Sequence, residues 1–208
     1  TGETYVRVVD YKSGAKKFNL SDLYYGLNLQ MLVYLFCIWK NGRGSYQNVL
    51  PAGVLYMPAK DPSPTLGREA DDASYEKEKR AQYKMNGLLL SDPTLLQAMD
   101  KEGGGIFIPA KLNKDGEPDK TSSIVSLGEM GRLYRHTCRL AKDMANELQA
   151  GGVEACPING LGYDPCAYCD FKAVCGVGPE DPRREIQAFS SKEDLFSQME
   201  EEDKQDLE

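Results

Sequence analysis

The segment Val6–Lys12 constrains this chain most, because a β-branched run ends there in a carboxylate and an ammonium. Its sequence is Val-Arg-Val-Val-Asp-Tyr-Lys, followed by Ser13 and Gly14. Closely spaced valines favour a strand, and side chains two residues apart leave a strand on the same face. The sequence therefore predicts that Asp10 and Lys12 project side by side where this strand ends.

A paired carboxylate and ammonium suit the hydrolysis of a phosphodiester. The carboxylate can hold Mg²⁺, which carries and activates a water, while the lysine orients that water or offsets the charge that develops on the phosphate. Gln30 and Tyr34 follow four residues apart on the next predicted helix, so they share one face of it. The D-x-K spacing alone is weak evidence, since an exposed Asp–Lys pair on a strand is most often a solvated face.

The sequence around this pair resembles the PD-(D/E)XK nucleases of the RecB type. The run V-V-D-Y-K-S-G precedes a helix that carries Q-x-x-x-Y, and the phrase from Phe18 to Phe36 is similar to the nuclease domains of the AddB family. The likeness continues through Pro51–Tyr56, Lys84–Leu88 and the C-terminal cysteines, over roughly residues 4–176. It implies an α/β fold of the restriction-endonuclease type, in which helices flank a mixed sheet and a cysteine-rich iron–sulfur loop lies on the C-terminal side.

The resemblance also implies an activity and partners. Members of the family hydrolyse DNA exonucleolytically with Mg²⁺, as part of a bacterial helicase–nuclease for double-strand break repair that pairs with an AddA-type subunit in a heterodimer. Two other interpretations stay open: a Cas4-like iron–sulfur exonuclease, and a non-catalytic DNA-binding or scaffold module with a degenerate site. The phrase Y-Y-G-L-N-L-Q-M-L speaks against the Cas4-like interpretation.

Roles for individual residues come from the same resemblance. Asp10 would be a metal ligand, joined by the carbonyl of Tyr11, and Lys12 would be the catalytic lysine. Gln30 and Tyr34 would position the DNA or the lysine. The family's upstream histidine and second aspartate have no counterpart in these 208 residues. A single carboxylate makes a poor Mg²⁺ site. We therefore expect the natural protein to be a nuclease but this chain alone to be inactive.

Three cysteines near the C-terminal end, Cys166, Cys169 and Cys175, have the spacing C-x2-C-x5-C in a Gly- and Pro-rich segment. Such spacing in a cytosolic chain favours a metal over disulfides, and zinc, a [4Fe–4S] cluster and free thiols all stay open on spacing alone. The resemblance implies a [4Fe–4S] cluster whose fourth cysteine lies upstream of this chain. Cys156, the nearest other cysteine, is not expected to be a ligand.

Negative charge is concentrated at one end of the chain. Residues 179–208 contain 11 acids and 4 bases, so the remaining 178 residues contain 21 of each and are neutral overall. We expect the acidic tail to be solvated and partly disordered. A local basic patch on the neutral body could line a DNA channel, but we do not expect it to bind DNA tightly alone, and we expect the phosphate-binding surface to come from other domains or a partner. The longest apolar run, Met31–Trp39, is too short to span a membrane, which favours a soluble, cytoplasmic protein.

The patterning divides the chain into a partial nuclease core over residues 1–150, a cysteine-rich segment over 151–178 and the tail over 179–208. Cys37, Cys138 and His136 are expected to have structural roles, the two cysteines in the core. The predicted elements are strands at Thr4–Val9 and Val49–Met57, helices at Leu20–Lys40, Tyr75–Met85 and Pro93–Asp100, a hairpin around Asn113–Gly116, a long helix from a Ser126 cap to Ala150, and a short helix at Ser190–Met199.

Overall fold

A computed structural model describes residues 2–14, 17–44, 46, 48–67, 69–101 and 103–205. Contacts divide the chain into two compact units: unit 1 comprises Thr1–Asn19 and Asn28–Tyr134, and unit 2 comprises Leu20–Leu27 and Arg135–Glu208. The segments 1–150, 151–178 and 179–208 remain a prediction from the sequence pattern. Helix α5 (Leu127–Gln149) has residues in both units.

Unit 1 is built on a mixed sheet of four strands in the order β1-β2-β3-β4. The pairing of β1 with β2 is parallel, that of β2 with β3 is antiparallel, and that of β3 with β4 is parallel. The predicted mixed sheet is therefore confirmed. The strands are β1 (Thr4–Lys12), β2 (Val49–Pro58), β3 (Asn86–Leu90) and β4 (Ile124–Val125).

The β1–β2 ladder contains a bulge next to the proline of β2. Val6 is opposite Pro51 and Arg7 is opposite Gly53, so Ala52 is the extra residue. A proline has no N–H to give to a ladder, which is why it is found at bulges and strand starts. Gly53 has φ +135°, and a Cβ there would lie 2.2 Å from the carbonyl oxygen of Leu88. The close approach of β2 to β3 thus requires glycine at this position.

The helices of unit 1 differ in how much they bury. Helix α2 packs against β1 and β2 and buries Met31, Leu32, Leu35 and Phe36, which lie on one face. Helix α3 buries none of its residues. The two helices and the short α4 are bounded as follows: α2 (Gln30–Asn41, continued by a 3₁₀ turn at Gly42–Gly44), α3 (Asp72–Gln82) and α4 (Pro93–Met99).

Unit 2 contains mostly short elements around one long helix. These are α1 (Leu20–Tyr24), the later part of α5 (Leu127–Gln149), the strands β5 (Ile158–Asn159) and β6 (Arg184–Glu185), α6 (Lys172–Cys175) and α7 (Lys192–Gln205). Strands β5 and β6 form a parallel pair. None of the helices in the described residues combines the length and the apolar character needed to cross a membrane.

The predicted helix over Leu20–Lys40 is two helices in the structure. Gly26 and Asn28 have φ values of +83° and +56°, in the left-handed region that ends a helix. The first helix starts at Leu20 and includes Ser21. The Ser21 hydroxyl accepts a hydrogen bond from the backbone N–H of Phe189 at 3.1 Å.

The predicted hairpin is wrong in its pairing, although its turn is present. Gly116 has φ +81° and donates its N–H to the carbonyl of Asn113 at 3.1 Å, but a single bridge, Leu112 to Pro118, follows in the described residues. Strand β4 pairs with β3 instead. The sequence pattern did not indicate β3 at all, since its apolar run is short and lacks β-branched residues.

The Ser126 cap is confirmed. The hydroxyl of Ser126 accepts from the N–H of Glu129 at 3.2 Å, and the Glu129 carboxylate accepts from the N–H of Ser126 at 2.6 Å. This reciprocal pair is a capping box.

The expectation of a solvated tail differs from the structure. Helix α7 buries Leu195, Phe196 and Met199, and Ile186 is also buried. Residues at i, i+1 and i+4 share one face of a helix. The acidic composition favoured a solvated tail, but the apolar residues of this segment form a stripe along one face of α7. Cys37 and Cys138 are exposed and not core residues, whereas His136 is buried.

Candidate active site

Asp10 and Lys12 lie side by side at the carboxyl end of β1. The Nζ atom of Lys12 is 2.6 Å from Oδ2 of Asp10, and the two side chains are 35% and 33% exposed, respectively. In the ladder with β2, Asp10 is opposite Tyr56 and Lys12 is opposite Pro58. Period-two alternation along the strand places the pair on one face. Both groups are thus held by a paired strand and remain accessible from solvent.

The ion pair sets the protonation state of the lysine. The hydrogen bond to Asp10 raises the pKa of Lys12 above its ordinary value, although desolvation opposes this. The Nζ atom also lies 5.8 Å from the centroid of the Tyr56 ring, within range of a cation–π interaction. This arrangement therefore favours the ammonium form of Lys12, which can stabilise negative charge.

Gln30 and Tyr34 form a second pair, one turn apart on α2. The side-chain amide of Gln30 donates to the hydroxyl of Tyr34 at 3.1 Å, and both residues are exposed, Tyr34 by 52%. Gln30 is the first residue of α2. It is exposed there, although the residues that follow it in the helix are mostly apolar. Among the described residues, no hydrogen bond joins this pair to Asp10 or Lys12.

A groove of about 410 Å³ opens beside Lys12, between the ends of β1 and β2. Among the described residues, its lining includes three lysines and no acid: Lys12, Ser13, Gly14, Tyr56, Met57, Pro58, Lys60, Gln82, Lys84 and Asn86. A concave surface with this charge suits a phosphate-bearing ligand. Neither Lys60 nor Lys84 was predicted to have a role: Lys84 lies in the segment Lys84–Leu88 that carries part of the family resemblance, and Lys60 lies in none of the segments that carry it.

The oxygen donors at the site suit Mg²⁺ in kind. The carboxylate of Asp10 and the main-chain carbonyl of Tyr11 are hard oxygen ligands, and Mg²⁺ usually takes one or two carboxylates together with substrate phosphates and waters. In the part of the chain that the structure describes, no three His, Cys, Asp or Glu side chains come close enough together to hold a metal. Asp10 is therefore a candidate ligand in an incomplete set.

The three candidate cluster ligands lie on and just before α6 in unit 2. Cys169 and Cys175 are exposed, Cys166 is partly buried, and all three are free thiols. Thiolates are the ligand type that iron–sulfur clusters and zinc prefer. These residues fit such a group in chemistry, but they supply three ligands and are not gathered around one point among the described residues.

Comparison with known proteins defines the class of this protein. The sequence profile of the PD-(D/E)XK nuclease superfamily matches residues 1–176. The chain belongs to this superfamily, as the D-x-K strand, the following helix and the mixed sheet indicate.

Curated relatives narrow the likeness to one kind of protein, the ATP-dependent helicase/deoxyribonuclease subunit AddB. The chain is 40% identical over 175 residues to this protein from Acetivibrio thermocellus, an alignment that covers 83% of this chain and 15% of the relative. It is 36% identical over 197 residues to that of Ruminiclostridium cellulolyticum, covering 92% and 17%, and 34% identical over 208 residues to that of Caldanaerobacter subterraneus subsp. tengcongensis, covering 99% and 18%. The expected resemblance to the AddB family is confirmed, and the chain spans less than a fifth of the length of these relatives.

Proposed function

We propose that this chain carries part of the active site of a DNA nuclease that hydrolyses phosphodiester bonds at Asp10 and Lys12. The observation that carries the proposal is the 2.6 Å contact between the Lys12 ammonium and the Asp10 carboxylate at a strand end. That strand end opens onto a groove whose described lining residues include three lysines and no acid. Membership of the PD-(D/E)XK nuclease superfamily supports it.

Each of these residues would have a separate role in hydrolysis. Asp10 and the carbonyl of Tyr11 would hold Mg²⁺, which when bound supplies an activated water and offsets charge on the phosphate. Lys12 keeps a positive charge beside the same phosphate, where a preorganised cation stabilises the charge that develops in the transition state. Gln30 and Tyr34, joined by their own hydrogen bond, position the DNA or the lysine.

The larger assembly is part of the same proposal. The relatives are named as one subunit of an ATP-dependent helicase/deoxyribonuclease, which supports a motor that feeds DNA to this site and an AddA-type partner. Hydrolysis would then be exonucleolytic, degrading a strand from its end.

We infer that Cys166, Cys169 and Cys175 supply three ligands of a [4Fe–4S] cluster in the natural protein. The thiol chemistry and the exposure of Cys169 and Cys175 support this. Iron and sulfide would be quantified in natural full-length protein isolated without oxygen. Cys169→Ser should lower both, Cys156→Ser should leave both unchanged, and equal losses in the two variants would contradict the ligand assignment.

A non-catalytic scaffold is the second candidate. It is favoured by the single carboxylate of the D-x-K pair and by the absence of a three-residue metal group among the described residues. A Cas4-like exonuclease is less favoured, because the relatives carry the helicase/deoxyribonuclease name.

The enzyme and the scaffold make opposite predictions for end-labelled linear DNA. Natural full-length protein with its AddA-type partner should degrade it with Mg²⁺ and not with a chelator, and Asp10→Asn should abolish this. The matched control is Asp115→Asn, which removes the same charge from an exposed acid in the Asn113–Gly116 turn. Degradation by Asp10→Asn at the normal rate would favour the scaffold.

A further inference from the structure

We propose that the groove beside Lys12 continues along α3 as a track for single-stranded DNA. The proposal rests on the proposed nuclease function for the identity of its occupant, the strand being cleaved. It assigns roles to Lys60, Lys77, Arg80 and Lys84, which lie outside the D-x-K and Q-x-x-x-Y motifs.

Two neighbouring grooves share one lysine. The second has a volume of about 620 Å³ and is lined by Ala73, Glu76, Lys77, Arg80, Ala81, Lys84, Gly105 and Ile106. Lys84 also lines the groove beside Lys12. The two therefore adjoin at Lys84, and together they lead from the D-x-K pair to the exposed face of α3.

The charge along this path is strongly positive. Among the described residues, the linings of the two grooves contain five bases, Lys12, Lys60, Lys77, Arg80 and Lys84, and one acid, Glu76. In contrast, residues 1–178 as a whole contain equal numbers of acids and bases. Within the described residues, the four bases other than Lys12 form no ion pair, so their charge is available to a ligand.

The face of α3 that carries these bases is not needed to hold the fold together. Helix α3 buries none of its residues. Its N-terminus is fixed by Asp71, whose side chain accepts from the N–H of Ser74 at 2.9 Å. Its other acids, Asp72 and Glu78, do not line either groove. Helix α3 thus presents two of its three bases and one of its three acids to the groove, which leaves a net positive charge there that suits a polyanion.

Aromatic side chains favour a single strand over a duplex. Tyr83 and Phe107 are 37% and 45% exposed, and each adjoins a groove residue in sequence, Lys84 and Ile106. Proteins that bind single strands combine a positive groove with aromatic rings on which unpaired bases stack. Paired bases inside a duplex are not available to such rings.

Binding of a fluorescent oligothymidylate by the 208-residue chain, with a chelator present, tests the track. Lys77→Ala/Arg80→Ala should weaken binding by about 10-fold or more at low salt. The salt-dependence slope should also fall by about 1.4, or about 0.7 for each phosphate that is no longer neutralised. The control Lys79→Ala/Lys114→Ala removes the same charge from residues that line neither groove. It should change binding much less.

Equal losses in the two double variants, or none in the first, would overturn the track, and so would tighter binding of a duplex of the same length. The chelator removes cleavage from the measurement, so the binding result does not depend on whether the D-x-K pair is catalytic. A failure of the nuclease proposal would therefore appear in DNA degradation and leave this binding result intact. Thermal melting should be the same for both double variants, because Lys77 and Arg80 are exposed and α3 buries no residue.

Discussion

Arg135 on α5 donates a hydrogen bond from Nε to the Asp203 carboxylate on α7, at 2.8 Å. The adjacent acid, Glu202, accepts from the hydroxyl of Tyr24 and from the guanidinium of Arg139. Part of the acidic charge near the end of the chain is therefore paired within unit 2. These interactions, together with the buried face of α7, make this segment a structural part of the unit.

Deleting residues 192–208 should destabilise the protein. Leu195, Phe196 and Met199 are at most 3% exposed, and burial of each such side chain contributes about 1.5–3 kcal/mol. A loss of this size corresponds to a fall in Tm of about 10 °C or more for a chain of this length. Thermal unfolding followed by circular dichroism would measure it.

Lys204→Ala is the control for that deletion. Lys204 pairs with Glu200 one turn away, at 3.2 Å on an exposed face, and such pairs contribute about 0.2–0.5 kcal/mol. Its Tm should hardly move. If the deletion also left the Tm almost unchanged, that result would contradict the burial of the apolar face of α7.

His136 should make the stability of unit 2 fall in mild acid. Its ring is 4% exposed, and burial lowers its pKa below the ordinary value. The Nε2 atom is 2.8 Å from the carbonyl oxygen of Tyr24, and Nδ1 is 2.8 Å from the Arg139 guanidinium. These interactions suit a neutral ring that donates from Nε2 and accepts at Nδ1, whereas Glu202 and Asp203 nearby favour the charged form.

The pKa of His136 is lower in the folded state than its unfolded value, about 6.5. The neutral ring therefore contributes stability that is present above about pH 6.5 and is lost as the pH falls through the pKa of the folded state. The free energy of unfolding, measured by urea titration, should therefore decrease between about pH 7 and pH 5. His136→Gln, which cannot take up a proton, should lack this component. An identical decrease in the variant would show that other groups cause it.

Gly53 should tolerate no side chain. Gly53→Ala places a methyl group 2.2 Å from the carbonyl of Leu88 at a φ of +135°, so β2 and β3 must move apart, and we expect a loss of about 3 kcal/mol or more. Gly128→Ala lies within α5, where a Cβ would be in ordinary contact with the Ser126 hydroxyl at 3.9 Å, and it should instead stabilise the chain slightly, because alanine favours a helix. Similar melting temperatures for the two variants would contradict the bulged geometry.

The sequence predicted the features that depend on local pattern. The D-x-K strand, the Ser126 cap and the mixed sheet all follow from residue spacing or from the family resemblance. The break at Gly26 and Asn28 was missed, because apolar residues continue on both sides of it. Strand β3 and the partner of β4 were missed because pairing depends on residues distant in the chain. The lysine-lined grooves were missed for the same reason, since Lys12, Lys60 and Lys84 are brought together only by the fold.

Gln30 and Tyr34 should affect cleavage less than the D-x-K pair does. In the natural full-length protein, Gln30→Ala should slow DNA cleavage by about 10-fold, equivalent to about 1.4 kcal/mol. Tyr34→Phe removes the hydroxyl that accepts from Gln30 at 3.1 Å, and should have a similar effect if the two residues act as one unit. Val33→Ala, an exposed neighbour on the same helix, should have little effect. A loss as large as that of Asp10→Ala would place Gln30 in direct contact with the reacting groups.

The rate of DNA cleavage in a single turnover by the natural full-length protein, with Mg²⁺ and the AddA-type partner, tests the central claim most directly. Asp10→Ala should abolish cleavage, Lys12→Ala should slow it by about 10²–10³-fold, as expected when one preorganised charge is removed, and ATP-driven unwinding should survive both changes. Cleavage by Asp10→Ala at the unaltered rate would show that Asp10 is not a catalytic ligand and that this chain serves as a scaffold.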